Sequence, residues 1–265
     1  MDSAVTESAP APLSSEAIYG RESGVRRDAK LWSNLQEVCA LLAMPIPAGL
    51  PGDLMFQHVQ FKPGQTIHSV GQTFDMLYLV NSGFLKTAIF DEVGNEQVMS
   101  FPMRGDLFGI DGIHGRSYTA QANALSNCDL ILIPFRKFAM LGRSNPEMEN
   151  AIYSVMSREL AREQAMIGIL GAMGAEGRLA RFLVSLSERF SAMGYSGREF
   201  NLRMSRQEIG SYLGLTLETV SRTFSMFDES GMISVSQRAI VIHDLQTLKT
   251  LRRMPRPRLR AARRG

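Results

Sequence analysis

Four polar side chains near the C-terminal end of the chain share one helical face. Glu218, Ser221, Arg222 and Ser225 fall at i, i+3, i+4 and i+7. Val220, Phe224 and Phe227 fall at i, i+4 and i+7 on the opposite face and are expected to point inward. Arginine forks onto guanine O6 and N7, glutamate accepts from cytosine N4, and serine serves either partner. The chemistry these residues suit is therefore the reading of base edges. The plainer alternative is the solvated Glu/Arg face of an ordinary helical hairpin.

The flanking residues are those needed to hold such a face in place. Ser205 and Glu208 form a capping box that opens a short helix, whose apolar stripe is Ile209, Tyr212 and Leu213. Gly214 can adopt the left-handed conformation that ends it, and Thr216 can cap the next helix. A helix-turn-helix follows directly. After the turn Ser230-Gly231, Met232–Val235 and Ala239–Ile242 read as two strands around Ser236-Gln237-Arg238. This is a hairpin in the position of a wing. Upstream, Gly177–Phe190 is an amphipathic helix, and Phe200-Asn201-Leu202 is a short strand.

Before this unit, apolar residues recur at Ile152, Met156, Leu160, Ile167 and Leu170, with spacings of 4, 4, 7 and 3. Glu163 falls on the same line. The pattern fits a coiled-coil dimer seam or a helix packed on its own domain. A single helix-turn-helix covers few base pairs, which favours the seam, with Glu163 tuning association by like-charge repulsion. Pro146 can start this helix, and Gly171–Gly174 is a possible hinge.

From Asp53 to Phe138 the periodicity is two rather than 3.6. Glycines at 64, 71, 83, 94 and 105 are separated by 7, 12, 11 and 11 residues. Between the turns lie Val59–Phe61, Met76–Val80, Phe84–Phe90, Gln97–Phe101 and Leu130–Ile133, which predict a barrel or sandwich. Asp91–Asn95 looks like a hairpin tip. Leu31–Leu42 predicts a short helix carrying the only tryptophan, Trp32. Residues 1–28, rich in Ala, Ser, Pro and Glu, read as disordered.

Composition limits the function. With 265 residues and 45% hydrophobic content, the chain can bury ordinary cores. It has no uninterrupted apolar run long enough for a membrane span and no secretory signal over Met1–Ser23, so no membrane partner is expected. Two cysteines, Cys39 and Cys128, make no disulfide framework, which suits the cytoplasm. The net charge of +3 comes from the last fifteen residues, which hold seven arginines and no acid. Such a tail attracts phosphate without regard to sequence, or simply solubilises the end of the chain. No Walker loop, HExxH or nucleophile elbow points to an enzyme.

Several stretches in order resemble the Crp/Fnr family of bacterial transcription regulators, and the Fnr branch most closely: P-G-Q-T (63–66), Y-L-V-N-S-G (78–83), G-N-E-Q (94–97), G-D-L-F-G-I-D (105–111), I-P-F (133–135), A-E-G-R-L-A-R-F (175–182), the run from Arg198 to Arg222, and S-G-M-I (230–233). The resemblance implies an α+β protein. It has an antiparallel β-roll sensor domain like those that bind cyclic nucleotides (29–141), a long dimerisation helix (142–173) and a C-terminal winged helix-turn-helix (174–247), followed by the basic tail (248–265). It implies a homodimer on double-stranded DNA. The Fnr pattern E-x-x-S-R at Glu218, Ser221 and Arg222 implies a TTGAT-like inverted repeat. Leu217, where the Crp branch has arginine, favours that site. Ser205, Arg206, Thr216, Thr219 and the wing residue Arg238 are expected beside the DNA. The tip at Asp91, Glu92 and Asn95, and the loop at Asp111, match family surfaces that touch RNA polymerase.

The sensor departs from both branches. Fnr holds an iron–sulfur cluster on four cysteines, three of them clustered near the N-terminus, whereas this chain has two cysteines in all. No four-cysteine cluster is expected. Cys39 and Cys128 could form a redox switch or serve as small buried hydrophobes. Crp-type pockets use a Gly-Glu pair and Arg-Ser. Gly109-Ile110-Asp111-Gly112 lacks the glutamate, and Arg116-Ser117 follows after a short loop, so no cyclic nucleotide is expected. His58, His68, His114 and His243 form no ligand pattern, and no metal site or other cofactor is expected, although haem stays open. The expectation is a Fnr-type regulator. The alternatives are a cyclic-nucleotide-responsive Crp-type regulator, a haem- or redox-responsive member of the family, or a module whose winged helix serves protein contacts.

Overall fold

The computed structural model describes residues 31–49 and 52–252. The expected extension over 1–28 and the arginine-rich tail beyond Arg252 lie outside the described residues.

The described residues begin with strand β1 (Trp32–Asn34) and helix α1 (Leu35–Leu41). The helix expected from Leu31 therefore starts later. Asn34 Oδ1 accepts from the Glu37 N–H at 2.9 Å, and the Glu37 carboxylate accepts from the Asn34 N–H at 3.0 Å. This capping box opens the helix at Leu35 and leaves Trp32 and Ser33 extended, paired with Gln57 and Phe56. Eight strands follow: β2 (Met55–Phe61), β3 (Thr66–His68), β4 (Met76–Ser82), β5 (Leu85–Phe90), β6 (Glu96–Ser100), β7 (Leu107–Phe108), β8 (Gln121–Ala124) and β9 (Cys128–Pro134), with the one-turn helix α2 (Gly112–Gly115) before β8.

They form two antiparallel sheets, ordered β1-β2-β9-β4-β7 and β3-β8-β5-β6. Strands β4 and β9 lie inside the first sheet and are apolar on both faces. Leu79, Val80, Leu130, Ile131 and Ile133 are all fully buried. At Gly83 the backbone has φ +98°, and a Cβ would lie 2.5 Å from the Asn127 carbonyl oxygen, so only glycine fits. His68 is enclosed by aromatic rings, with centroids 4.0 Å from Tyr118, 5.6 Å from Tyr78 and 5.9 Å from Phe108.

Helix α3 (Phe135–Ser144) leads into α4 (Pro146–Ala172), which is capped by Asn145 Oδ1 accepting from the Met148 N–H at 3.0 Å. The first turns of α4 bury Met148, Ala151 and Val155 against the sheets, and its later half emerges into solvent. Next come α5 (Ala175–Ala192), β10 (Glu199–Asn201), α6 (Arg206–Leu213), α7 (Leu217–Glu229), β11 (Ile233–Ser236), β12 (Ala239–Ile242) and α8 (Leu245–Thr250). The C-terminal strands form a three-stranded sheet, β10-β12-β11.

Two apolar cores result. The first lies in the sheets and the start of α4. The second joins α5, α6, α7 and the wing, but it also takes Val98, Phe101 and Met103 from the end of β6 and the loop beyond it. The N-terminal domain thus supplies part of the packing of the C-terminal one.

Candidate nucleic-acid interface

The turn between α6 and α7 is built as the residue types require. Ser205 Oγ accepts from the Glu208 N–H at 3.1 Å, and the Glu208 carboxylate accepts from the Ser205 N–H at 2.7 Å. Gly214 takes φ +62° and ends α6. Thr216 Oγ1 then accepts from the Thr219 N–H at 3.2 Å and starts α7. Gly210 permits the tight approach of the two helices, since a Cβ there would lie 2.7 Å from the Leu215 carbonyl oxygen. On its inner face α7 buries Val220, Thr223, Phe224 and Phe227. Each buried phenylalanine contributes roughly 2–3 kcal/mol of transfer free energy, which holds the helix at a fixed angle.

The outer face of α7 is open. Glu218, Ser221, Arg222 and Ser225 are all exposed. Neither Glu218 nor Arg222 forms an ion pair among the described residues, so both heads remain available to a ligand. Thr216 and Thr219 hydrogen-bond each other at 3.0 Å, so both serve the cap at the start of this face.

Two basic residues expected at DNA have contacts of their own. The Arg206 guanidinium lies 3.4 Å from the centre of the Phe224 ring, and burial pulls its pKa down to about 10, still charged at neutral pH. Its Nη2 reaches the Gln237 carbonyl in the wing at 3.5 Å. Arg238 donates to the Arg203 carbonyl at 3.0 Å and stays exposed at the tip of the wing, where Gln237 has φ +53°.

On α4 the exposed line differs from the expected seam by one residue. Ile152 packs against its own chain, its Cδ1 being close to Gly142 in α3. Tyr153, which the apolar spacing did not single out, is exposed instead. Tyr153, Leu160, Glu163 and Ile167 are exposed and Met156 and Leu170 half-buried, along a line that alternates three and four residues. Leu160 is 56% exposed and Ile167 69%, high values for large aliphatic side chains on one helix face.

The hairpin between β5 and β6 is held by its own polar residues. Asp91 Oδ1 accepts from the Val93 and Asn95 N–H groups, and its other oxygen accepts from Asn95 Nδ2. These bonds, the Asn95 side chain foremost, hold the Asp91 carboxyl below the usual range. Asp91 and Asn95 thus build the turn, while Glu92 and Val93 form its outward tip. Asp111 Oδ2 accepts from the Thr119 N–H at 2.7 Å, the Thr119 hydroxyl at 3.0 Å and the Ala120 N–H at 3.0 Å.

Cys39 and Cys128 are both buried, and burial pushes both thiols up. The Cys128 thiol donates to the Phe84 and Ser126 carbonyls at 3.2 Å. No group of three or more His, Cys, Asp or Glu side chains is arranged to hold a metal ion among the described residues. The folding of distant segments brings Ser33, His58 and Asp129 into a hydrogen-bonded row that no local motif announces. Ser33 Oγ lies 2.8 Å from His58 Nε2, and His58 Nδ1 lies 2.9 Å from Asp129 Oδ2. The row joins β1, β2 and β9 across one sheet. No described helix is long and apolar enough to cross a membrane.

Comparison with known proteins agrees with this architecture. Residues 58–145 match the cyclic nucleotide-binding domain family, and residues 177–251 match the Crp-like helix-turn-helix domain family. The transcriptional regulatory protein btr of Bordetella pertussis is 38% identical over 220 residues, covering 80% of this chain and 91% of that protein. The transcriptional activator protein anr of Pseudomonas aeruginosa is 38% identical over 183 residues, covering 69% and 75%. The structure of FixK2 from Bradyrhizobium japonicum superposes with a TM-score of 0.70 at 26% identity, covering 76% of this chain and all of that one. The Bordetella and Pseudomonas relatives are named as a transcriptional regulatory protein and a transcriptional activator, not as enzymes. With a β-roll, a long connecting helix and an open recognition face on a winged helix, the chain belongs to the Crp/Fnr family of DNA-binding transcription regulators.

Proposed function

We propose that the protein works as a cytoplasmic homodimer on an inverted repeat of TTGAT-like half-sites. Two copies of α4 pair along Tyr153, Met156, Leu160, Glu163, Ile167 and Leu170, which places two α7 helices in successive major grooves. Arg222 reads guanine, Glu218 accepts from the opposite cytosine, and Ser221 touches a neighbouring base. Ser205, Thr216, Thr219 and the wing around Arg238 lie along the phosphates, with Arg206 bracing the wing. The observation that carries this reading is the exposed, unpaired Glu218–Ser221–Arg222 face on a helix whose other face is buried. The Pseudomonas relative is named a transcriptional activator. We accordingly read this protein as an activator that touches RNA polymerase through the Glu92–Val93 tip and the Asp111 loop.

Binding to a duplex carrying the TTGAT inverted repeat, compared with one whose half-sites are scrambled, tests the reading. The expected preference is at least a hundredfold, on the scale of roughly 1–3 kcal/mol per base pair read. Equal affinity for the two duplexes overturns it. Cyclic nucleotide is not part of the proposal, because His68, Tyr78, Phe108 and Tyr118 pack ring on ring within the β-roll. A large gain in DNA affinity on adding cyclic AMP would favour the Crp-type alternative.

A further inference from the structure

A cleft of about 840 Å³ opens where β1, the loop around Gly105, α4 and α5 meet. It lies apart from the recognition face, and four arginines line it: Arg104, Arg158, Arg162 and Arg189. Two of them are paired with carboxylates, both sharing Asp106 and Arg162 also holding Glu159 at 2.8 Å. Arg162 Nη1 donates to Asp106 Oδ1 at 2.9 Å, and Arg189 Nη2 donates to Asp106 Oδ2. The other two have no carboxylate at hydrogen-bond distance among the described residues. Arg104 donates to the Asn81 carbonyl at 2.9 Å, and Arg158 Nη2 donates to the Leu42 carbonyl at 2.7 Å. Arg158 Nε is out of contact with solvent and makes no hydrogen bond, with Glu159 Oε1 4.0 Å away.

The remaining acids of the cleft are already engaged. The Glu37 carboxylate caps α1, and Asp129 accepts from Asn81 Nδ2 at 2.6 Å and lies 2.9 Å from His58 Nδ1. Arg104 and Arg158 therefore line a cleft of metabolite size with charge that no carboxylate at hydrogen-bond distance cancels among the described residues. A guanidinium presents its donors in a planar fork that matches carboxylate and phosphate oxygens.

We propose that this cleft binds a small multivalent oxyanion, of phosphate or carboxylate type, through Arg104 and Arg158. The position gives the ligand a lever. Asp106 belongs to the β-roll, Arg162 to α4 and Arg189 to α5, so one carboxylate ties the sensor to the connecting helix and to the DNA-reading domain. An anion in the cleft competes with Asp106 for Arg162 and Arg189. Its occupancy then shifts how α5, and the α7 packed on it, sit relative to α4.

Trp32 is the only tryptophan in the chain and lines the cleft, which supplies a local reporter. The full-length protein is titrated with pyrophosphate in one arm and citrate in the other, and tryptophan emission is followed at ionic strength held constant with potassium chloride. A saturable change in either arm is expected, and the arm that responds identifies the ligand class. Arg104→Gln, on an exposed side chain, should raise the half-saturation concentration at least tenfold, while Arg143→Gln on α3 should leave it unchanged. Emission that changes no more than with potassium chloride alone, or a half-saturation point that Arg104→Gln does not move, overturns the proposal. The readout needs no DNA, so failure here is distinct from failure of the proposed recognition site.

Discussion

Lys86 on β5 reaches Glu208 on α6 at 3.1 Å, and Glu208 is the residue whose carboxylate caps that same helix. Lys86 also holds Glu96 at 2.7 Å. Burial pushes the Glu208 carboxyl up, but the Ser205 N–H and the Lys86 ammonium outweigh it and leave it below its ordinary range. Beside this pair, Ser211 Oγ donates to the Glu96 carbonyl at 3.0 Å and accepts from the Val98 N–H at 2.8 Å. The first helix of the DNA-reading motif is therefore fastened to the sensor hairpin by side chains that also shape the helix. A double-mutant cycle with Lys86→Met and Glu208→Gln, read by urea denaturation, should show a coupling of about 1 kcal/mol. Additive effects would mean that the pair is not a working link.

At the recognition face, Arg222→Ala should cost about 1–3 kcal/mol against the specific duplex. The loss should fall on one base pair of each half-site and leave the affinity for scrambled DNA nearly unchanged. A panel of singly substituted duplexes in gel-shift titrations reads this directly.

Gly210 and Gly168 should respond in opposite directions to alanine. At Gly210 the new methyl group meets the Leu215 carbonyl oxygen at 2.7 Å, so the turn must shift, at a cost of about 1–3 kcal/mol. At Gly168 on α4 nothing lies within 4 Å, and alanine should stabilise by up to about 1 kcal/mol through helix propensity. Thermal unfolding of the two variants, with DNA affinity measured alongside for Gly210→Ala, checks both.

His68 makes stability depend on pH. Burial lowers its pKa from 6.5 to about 4, against smaller opposing pulls from Asp111 and the Ala120 backbone. The folded state thus holds the ring neutral where the unfolded chain would protonate it. This contribution is complete above the unfolded value and is lost as pH falls from 6.5 through about 4. Its size is on the order of 3 kcal/mol. Urea midpoints measured between about pH 7 and about pH 4.5 should fall more steeply for the natural chain than for His68→Phe.

Glu163 lies on the exposed line of α4 between Leu160 and Ile167. If two copies pair along this line, Glu163→Leu should tighten the dimer roughly tenfold, equivalent to about 1.4 kcal/mol. Sedimentation equilibrium measures the change, and an unaltered association constant would place the dimer interface elsewhere.

The DNA-reading motif was legible because its signals are local. Ser205, Glu208, Gly214 and Thr216 act within four residues of their partners, and all four take the expected roles. The long strands were also legible from their apolar runs. The strands β1, β3, β7 and β8 were not, because they owe their form to pairing with partners distant in the chain. The partial packing of Ile152 on its own domain was not legible for a related reason. Apolar spacing records that a residue is buried somewhere, but not whether its own domain or a second chain buries it.

Taken alone, the sequence determined the order of domains, the capped turn between α6 and α7, and the polar face of α7, because each depends on residue type over one or two helical turns. The tertiary structure decided what lies between the domains. Val98, Phe101 and Met103 entering the second core, Lys86 on Glu208, the Asp106 bridge to Arg162 and Arg189, and the Ser33–His58–Asp129 row all join residues far apart along the chain. Contacts at that separation leave no periodic trace in the chain, since they depend on how whole elements pack rather than on the spacing of residues within them.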